Sequence, residues 1–288
     1  MKGMSACQGF HTLDYRDDGD EEYLVENIMG KYMQNIIRHE NLKTGLSEND
    51  VDRSSAAPLL NKYRSREDVI KIHPDSTLLM IGDSITDCGR VSRAAEAVRD
   101  PLGYGYVKLI HNVLGAISPG QNIRILNRGV SGNTVRHLTL RWQSDVLDLK
   151  PDWLSILIGI NDVWSKFDEH QPDEWYVSID EYASTLDHLI RAIRPQLRGI
   201  VLMTPYCIEP DLADPMRAMM DRYGDVVRQL AGQYQTILVD TQAAFESVLA
   251  ELPPAALSID RVHLKPVGHM ILAQSFLKAV GCYSRVNL

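Results

Sequence analysis

Residues 78–90 read LLMIGDSITDCGR, and the fold turns on how this stretch is interpreted. Four consecutive apolar residues run into Gly-Asp-Ser and then into polar sequence. An apolar run without alternation marks a strand buried on both faces, as in a parallel sheet covered by helices on either side. With Thr77 at its start, the first such strand spans 77–81. Similar runs recur at 123–126, 153–158, 199–203 and 236–239. Amphipathic stretches of crossover-helix length lie between them, at 107–114, 139–149, 179–193 and 216–233, and two more follow at 242–252 and 268–279. Five strand–helix units in series predict an α/β fold: a three-layer α/β/α sandwich around a flavodoxin-like five-stranded parallel sheet.

The chain has 288 residues, 44% hydrophobic and 24% charged, which suits a soluble globular protein with an ample core. Its net charge of −8 argues against a nucleic-acid or anionic-membrane surface, either of which calls for basic excess. No apolar run approaches the roughly 18–20 residues of a membrane-spanning helix. The opening MKGMSACQGFHTLDYRDDGDEEY has no apolar core of the secretory kind. Cys7, Cys88, Cys207 and Cys282 show no paired spacing, so they read as reduced thiols, with no metal or disulfide framework expected. Cytoplasmic residence is the corresponding expectation, and no cofactor is called for.

Residues 1–70 differ from the rest and are read as a largely helical or irregular N-terminal extension to a domain spanning 71–288. Within them YLVENIMGKYMQNIIRH (23–39) repeats apolar pairs every four residues, which gives a helix one buried face. The polar stretch 41–58 after it reads as a loop. The extension is either a packing arm on the main domain or an oligomer contact or flap.

Ligands of doubly wound sheets bind beyond the carboxyl ends of the strands, so the residues there decide the chemistry. Ser84 follows the first strand. NRGVSGNTVRHL, with Gly132, follows the second, and IGINDVW, with Asn161, the third. After the fifth strand and a helix comes SIDRVHLKPVGH, where Asp260 precedes His263 by three positions. A serine hydroxyl needs an adjacent base, which His263 can be, and Asp260 can hold the other ring nitrogen as a donor. The Asn161 amide and the backbone N–H groups of Gly132 and Ser84 can stabilise an oxyanion. Each piece alone has a bland reading: Gly-Asp-Ser is usually a turn, and Asp-x-x-His is usually a capped helix start or a surface pair. Their order at successive strand ends favours a site. Arg90, Trp164 and Tyr206 also fall just past strand ends and are candidate substrate contacts, with core or rim packing as the alternative. Asp83 bonds across the nucleophile turn or caps the next helix. Asp162 orients the Asn161 loop, and Cys88 and His269 read as packing residues.

GDSITD, NRGVSGNT, GIND and DRVH together resemble the four conserved blocks of the SGNH, or GDSL, hydrolase family, over roughly residues 75–285. The resemblance implies a catalytic triad of Ser84, Asp260 and His263 and an oxyanion hole of Ser84, Gly132 and Asn161. GDSITDCGR, GVSGNTVR, IGINDVW, LMTPY and DRVHLKPVGHMILA are further similar to the intracellular acetylxylan esterases of that family. This implies a homo-oligomeric serine esterase acting on acetylated xylo-oligosaccharides, with no nucleic-acid or membrane partner. The alternatives are a broad short-chain carboxylesterase, a deacetylase of another sugar, or a catalytically silent carbohydrate-binding or scaffold protein. Two features depart from the pattern: the long N-terminal extension, and Ile259 where a tryptophan is expected before Asp260.

Overall fold

The computed structural model of the protein describes residues 70–90, 100–168 and 175–282, all within one compact unit, Ser65–Val286. The helix expected at 23–39 lies outside the described residues. Five strands form a single sheet: β1 (Thr77–Gly82), β2 (Arg124–Gly129), β3 (Trp153–Leu157), β4 (Gly199–Met203) and β5 (Ile237–Val239). Their order is β2-β1-β3-β4-β5, and every pair is parallel. This is the flavodoxin-like winding expected from the alternation of apolar runs. The chain leaves β1 for β2 on one side and returns to β3 on the other, which opens a crevice at the carboxyl end of β1.

Leu78, Leu79, Met80 and Ile81 are all fully buried, so both faces of β1 are covered. One cover consists of α2 (Tyr106–Ile117), α7 (Thr241–Leu249) and α9 (Pro266–Ala279), with α9 packed on both others. The opposite cover is α3 (Val135–Trp142), α5 (Ile179–Ile193) and α6 (Pro215–Tyr234), packed in that sequence. Short helices α1 (Ser84–Asp87), α4 (Ile160–Trp164) and α8 (Pro254–Leu257) complete the set. In α5 the buried residues Tyr182, Leu186, Leu189, Ile190 and Ile193 keep three- and four-residue spacing, which places them on one stripe. Ser178 caps that helix by accepting from Glu181 N–H, and Asp180 and Glu181 suit the positive end of its dipole. Asp214 and Asp240 cap α6 and α7 in the same way.

Two elements differ from the sequence expectation. β2 runs on to Gly129 because polar Asn127 is satisfied inside the fold. Its amide donates to the carbonyls of Thr86 and Leu102 at 2.6 and 2.8 Å, and its oxygen accepts from Gly129 N–H at 2.8 Å. The helix expected at 139–149 instead starts at Val135, behind a reciprocal cap between Thr134 and His137. It ends at Trp142, and Gln143–Leu147 widen into a π-helical turn.

The strand ends β1, β2 and β3 align, with Gly82 paired to Gly129 on one side and to Leu157 on the other. A Cβ on Gly129 would collide with the backbone of Thr86 and Asp87 in α1. Gly115, in contrast, faces open space in α2. Gly129→Ala is expected to destabilise by about 3 kcal/mol or more, whereas Gly115→Ala gains about 0.5–1 kcal/mol of helix propensity. Urea midpoints of the two variants, moving in opposite directions from the parent, check both.

Candidate active site

Three consecutive strand ends and one later loop meet at the crevice. β1 ends at Gly82, and Asp83 caps α1 by accepting from Ile85 N–H at 3.0 Å. Ser84 is therefore the first residue of a helix, at the point where helical N–H groups lack intrahelical acceptors. The Ser84 hydroxyl lies 3.1 Å from His263 Nε2, and His263 Nδ1 lies 2.7 Å from Asp260 Oδ2. The other Asp260 oxygen accepts from the backbone N–H groups of His263 at 2.7 Å and Val262 at 3.1 Å. With Nδ1–H directed at a carboxylate, Nε2 is left as the acceptor that faces the serine.

The turn carrying these residues is anchored at each successive carbonyl. Ile208 N–H donates to Arg261 O at 2.8 Å, Tyr206 OH to Val262 O at 2.9 Å, and Ile259 N–H to His263 O at 2.9 Å. Arg261 takes a left-handed φ of 72°, and its guanidinium reaches Asp214 Oδ2 at 3.0 Å. Trp164 sets its ring edge-on to His263, centroids 5.3 Å apart. The hydrogen bond to Asp260 holds the His263 imidazole above its ordinary value, against the opposing effect of burial. Burial pushes the Asp260 carboxyl up, but the hydrogen bonds from the His263 ring and backbone outweigh it and leave it below the usual range.

The loop after β2 forms the second wall. Val130 N–H donates to Gly82 O at 3.0 Å, and Asn133 N–H closes a turn onto Val130 O at 3.2 Å. Gly132 is the third residue of that turn with φ 78°, a conformation that glycine adopts at little cost. Among the described residues no atom beyond its chain neighbours lies within 4 Å of where its Cβ would be, so it is backbone conformation that calls for glycine here. Asp87 Oδ2 accepts from the Ser131 hydroxyl at 2.8 Å and from its N–H at 3.3 Å. Asn161, at the start of α4, donates one Nδ2 hydrogen to Asn133 O at 3.0 Å. That bond fixes the amide plane and leaves the second hydrogen available. Buried Asp162 accepts from Val135 N–H at 3.0 Å and so ties α4 to the start of α3. Burial pushes both Asp83 and Asp162 up to about 7.

The structure thus brings Ser84, Asp260 and His263 into one hydrogen-bonded line and sets Gly132 and Asn161 on a shared loop contact. Arg90 donates from Nε to Gly129 O at 2.5 Å and lies 3.4 Å from Asp87, so it braces the end of β2. Tyr206 requires a correction: it is fully buried against Phe245, with its hydroxyl on Val262 O, and supports the Asp260–His263 turn instead of meeting a substrate. His269 and Cys88 pack together, Nε2 to Sγ at 3.4 Å, and burial drives His269 down to about 4. Among the described residues no group of three or more His, Cys, Asp or Glu side chains could hold a metal ion, and no helix is long and apolar enough to cross a membrane. Sequence reasoning gave no role to Asp87, Asn133 or Arg141, which hold the loop after β2. Asp87 and Asn133 sit inside the same motif blocks as Ser84 and Gly132, which is the signal that could have found them.

A nucleophile, base and orienting acid beside amide donors are the parts of an acyl-transfer site on an α/β sheet. Residues 80–271 match the GDSL-like Lipase/Acylhydrolase family, and the chain belongs to it; it is a carboxylic ester hydrolase. Among its relatives, an acetylxylan esterase from Geobacillus stearothermophilus is 51% identical over 212 residues, which cover 74% of this chain and 97% of that protein. The crystal structure of that organism's acetylxylan esterase Axe2 superposes with a TM-score of 0.70 at 51% identity, over 73% of this chain and 96% of the other. LAE5, an alpha/beta hydrolase from the metagenome of Lake Arreo, Spain, gives a TM-score of 0.72 at 45% identity, over 74% and 99% of the two chains.

The electrostatics predict two well-separated histidine titrations. His263 is expected to titrate above the ordinary imidazole value and His269 near 4. Replacing Asp260 by Asn removes the anion that favours imidazolium, so the His263 titration moves down while that of His269 stays low. Nitrogen-detected NMR of the imidazoles across the pH range reads both.

Proposed function

We propose that this ester hydrolase removes acetyl groups from xylo-oligosaccharides through an acyl-serine intermediate. The observation that carries the reading is the unbroken line from Ser84 Oγ through His263 to Asp260, at 3.1 and 2.7 Å. Three Axe2 structures described as catalytic mutants replace a serine, an aspartate and a histidine. Those three residues have the same separations in sequence as Ser84, Asp260 and His263.

His263 Nε2 takes the Ser84 proton as Oγ attacks the ester carbonyl carbon. The carbonyl oxygen becomes an oxyanion, which accepts from the N–H groups of Ser84 and Gly132 and from the second Nδ2 hydrogen of Asn161. Asp260 keeps Nδ1 protonated and offsets the charge of the imidazolium. Collapse expels the sugar oxygen, which receives the proton from His263, and the acetyl group stays on Ser84. Water then gives a proton to His263, attacks the acyl carbon, and releases acetate as Oγ recovers its proton. Every proton passes through one nitrogen, His263 Nε2, and of the contacts on the proton path only Ser84–His263 spans distant parts of the chain.

Acetylated sugar as substrate rests on similarity to the acetylxylan esterases. Ile259 is one point of difference. It is 64% exposed and directly precedes Asp260, whereas in Axe2 a tryptophan directly precedes the aspartate replaced in one of those mutants. An aliphatic residue here offers no stacking face, so any sugar contact at this rim is weaker than an aromatic one. The reading includes cytoplasmic residence, in keeping with Cys88 and Cys207, which form no disulfide among the described residues, and homo-oligomeric assembly with residues 1–70 as a packing arm or oligomer contact.

Hydrolysis of 4-nitrophenyl acetate by wild type and Ser84→Ala tests the nucleophile; equal rates would sink it. Asn161→Ala should lower kcat by about 10²–10³ with little change in KM, because the oxyanion exists only near the transition state. Asp260→Asn should cost about 10⁴ in kcat and move the acid limb of the pH profile down, since His263 must be neutral to act and loses the anion that raises its pKa. A panel of acetylated xylo-oligosaccharides, other acetyl sugars and longer acyl esters decides the substrate, and a preference for long acyl chains would overturn the carbohydrate assignment.

A further inference from the structure

Arg141 has no role in the proton path, yet it makes four polar contacts at the edge of the site. It lies in the last turn of α3, the helix after β2, which is the strand next to β1, and its side chain is largely covered. Nη2 donates to Gly82 O at 3.0 Å, at the end of β1 and two residues before Ser84. Nη1 donates to Arg128 O at 2.7 Å, near the end of β2, and to Asp145 Oδ2 at 2.8 Å. Nε donates to Asn133 Oδ1 at 2.8 Å, on the residue after Gly132. The Asn133 backbone carbonyl in turn accepts from Asn161 Nδ2 at 3.0 Å.

We propose that Arg141 is the positioning residue of the oxyanion hole. Its guanidinium fixes the Gly132–Asn133 peptide against the ends of β1 and β2, and through the Asn133 carbonyl it sets the plane of the Asn161 amide. This rests on the oxyanion role assigned to Gly132 and Asn161 above and extends it to the residue that holds both donors still.

The chemistry of the three inner acceptors explains why arginine serves here. Gly82 O, Arg128 O and Asn133 Oδ1 converge from three segments with their negative ends toward one another. Gly82 O also receives Val130 N–H, so the same carbonyl ties the loop to the strand twice. A planar cation with five donors in a fixed fork can satisfy all three acceptors at once, whereas an ammonium on a flexible stem cannot hold that geometry. The backbone opens into the π-helical turn Gln143–Leu147 two residues after Arg141. The fourth acceptor, Asp145, lies within that turn and steadies the guanidinium from its outer side. Wide turns of this kind are uncommon and often accompany functional positions. Preorganised donors act because they need no rearrangement as charge develops. A loop that wanders therefore loses transition-state stabilisation before it loses substrate binding.

The test is a double-mutant cycle between Arg141→Lys and Asn161→Ala, read by 4-nitrophenyl acetate kinetics and by the affinity of phenylboronic acid, which forms a tetrahedral adduct on a nucleophilic serine. Arg141→Lys is expected to lower kcat by about 10- to 100-fold, short of the roughly 10²–10³ lost with a whole donor. KM should stay within about threefold, and boronic acid affinity should fall in step with kcat. In the Asn161→Ala background the same change should cost clearly less than in the parent, because the part of its effect that passes through the Asn161 amide is already gone and only the part through the Gly132 N–H remains. Asn133→Ala keeps the backbone carbonyl but removes the grip of Arg141, and should reproduce the kcat loss even if Arg141→Lys folds poorly. Losses that multiply in the double mutant, a defect confined to KM, or an Asn133→Ala enzyme of full kcat would overturn the proposal. An Asn161→Ala enzyme with unchanged kcat would instead overturn the oxyanion assignment itself, so the two failures are distinguishable.

Discussion

The site depends on a backbone approach that only missing side chains allow. Gly82 and Gly129 face each other at the ends of β1 and β2, and the first turn of α1 lies against both. A Cβ at either position would collide with α1: with the Thr86 side chain from Gly82, and with the Thr86 and Asp87 backbone from Gly129. That contact brings the Ser84 helix onto the sheet edge, within reach of the loop that follows β2. Asn127 completes the seam by donating from its amide to Thr86 O, a buried hydrogen bond between strand and helix. Burying such a polar side chain is tolerable because both ends of its amide are satisfied.

Around this seam the hydrogen bonds divide by range. Asp260 grips His263 through ring and backbone within three residues, so this pair is a contact local to one turn. Ser84, Gly132 and Asn161 follow three different strand ends and meet only when the sheet is complete. The turn is tied to the rest of the fold through Tyr206 and Ile208, just past β4, and through Asp214 at the start of α6. Asp162 does similar work for the donors by joining the start of α4 to the start of α3. The Tyr206 and Asp162 bonds are buried, so each withdraws a polar group from water and makes its partner obligatory.

Much of this was legible in the sequence, and the limits have physical reasons. The ranges 179–193 and 199–203 agree with α5 and β4 to the residue, because the first has one clear helical period and the second is an unbroken apolar run. The end of β2 was hidden because Asn127 and Arg128 look like loop residues until their partners are known. The span of α3 was misjudged because a π-helical turn has no local signature; it reflects what Asp145 and Arg141 find in three dimensions. That Ser84, Asp260 and His263 lie together could be read from their order at strand ends, and they form one hydrogen-bonded line. The place of Tyr206 could not be read, since a residue just past a strand can point inward or outward and only the packing of Phe245 decides. Arg141 was equally silent: an arginine on a polar helix face reads as solvated, and its acceptors are carbonyls that sequence does not display.

Gly132 has a consequence that concerns handedness. Among the described residues nothing beyond its chain neighbours lies where a side chain would go, so the barrier to another residue that they present is the sign of φ. For a D-amino acid that sign is the favoured one. A D-alanine placed there by chemical synthesis would suit the turn better than glycine does, since it would narrow the freedom of the unfolded chain while leaving the N–H where it is. L-alanine would have to be strained into the same place. The wall of the site at this point is therefore selective for chirality and indifferent to bulk.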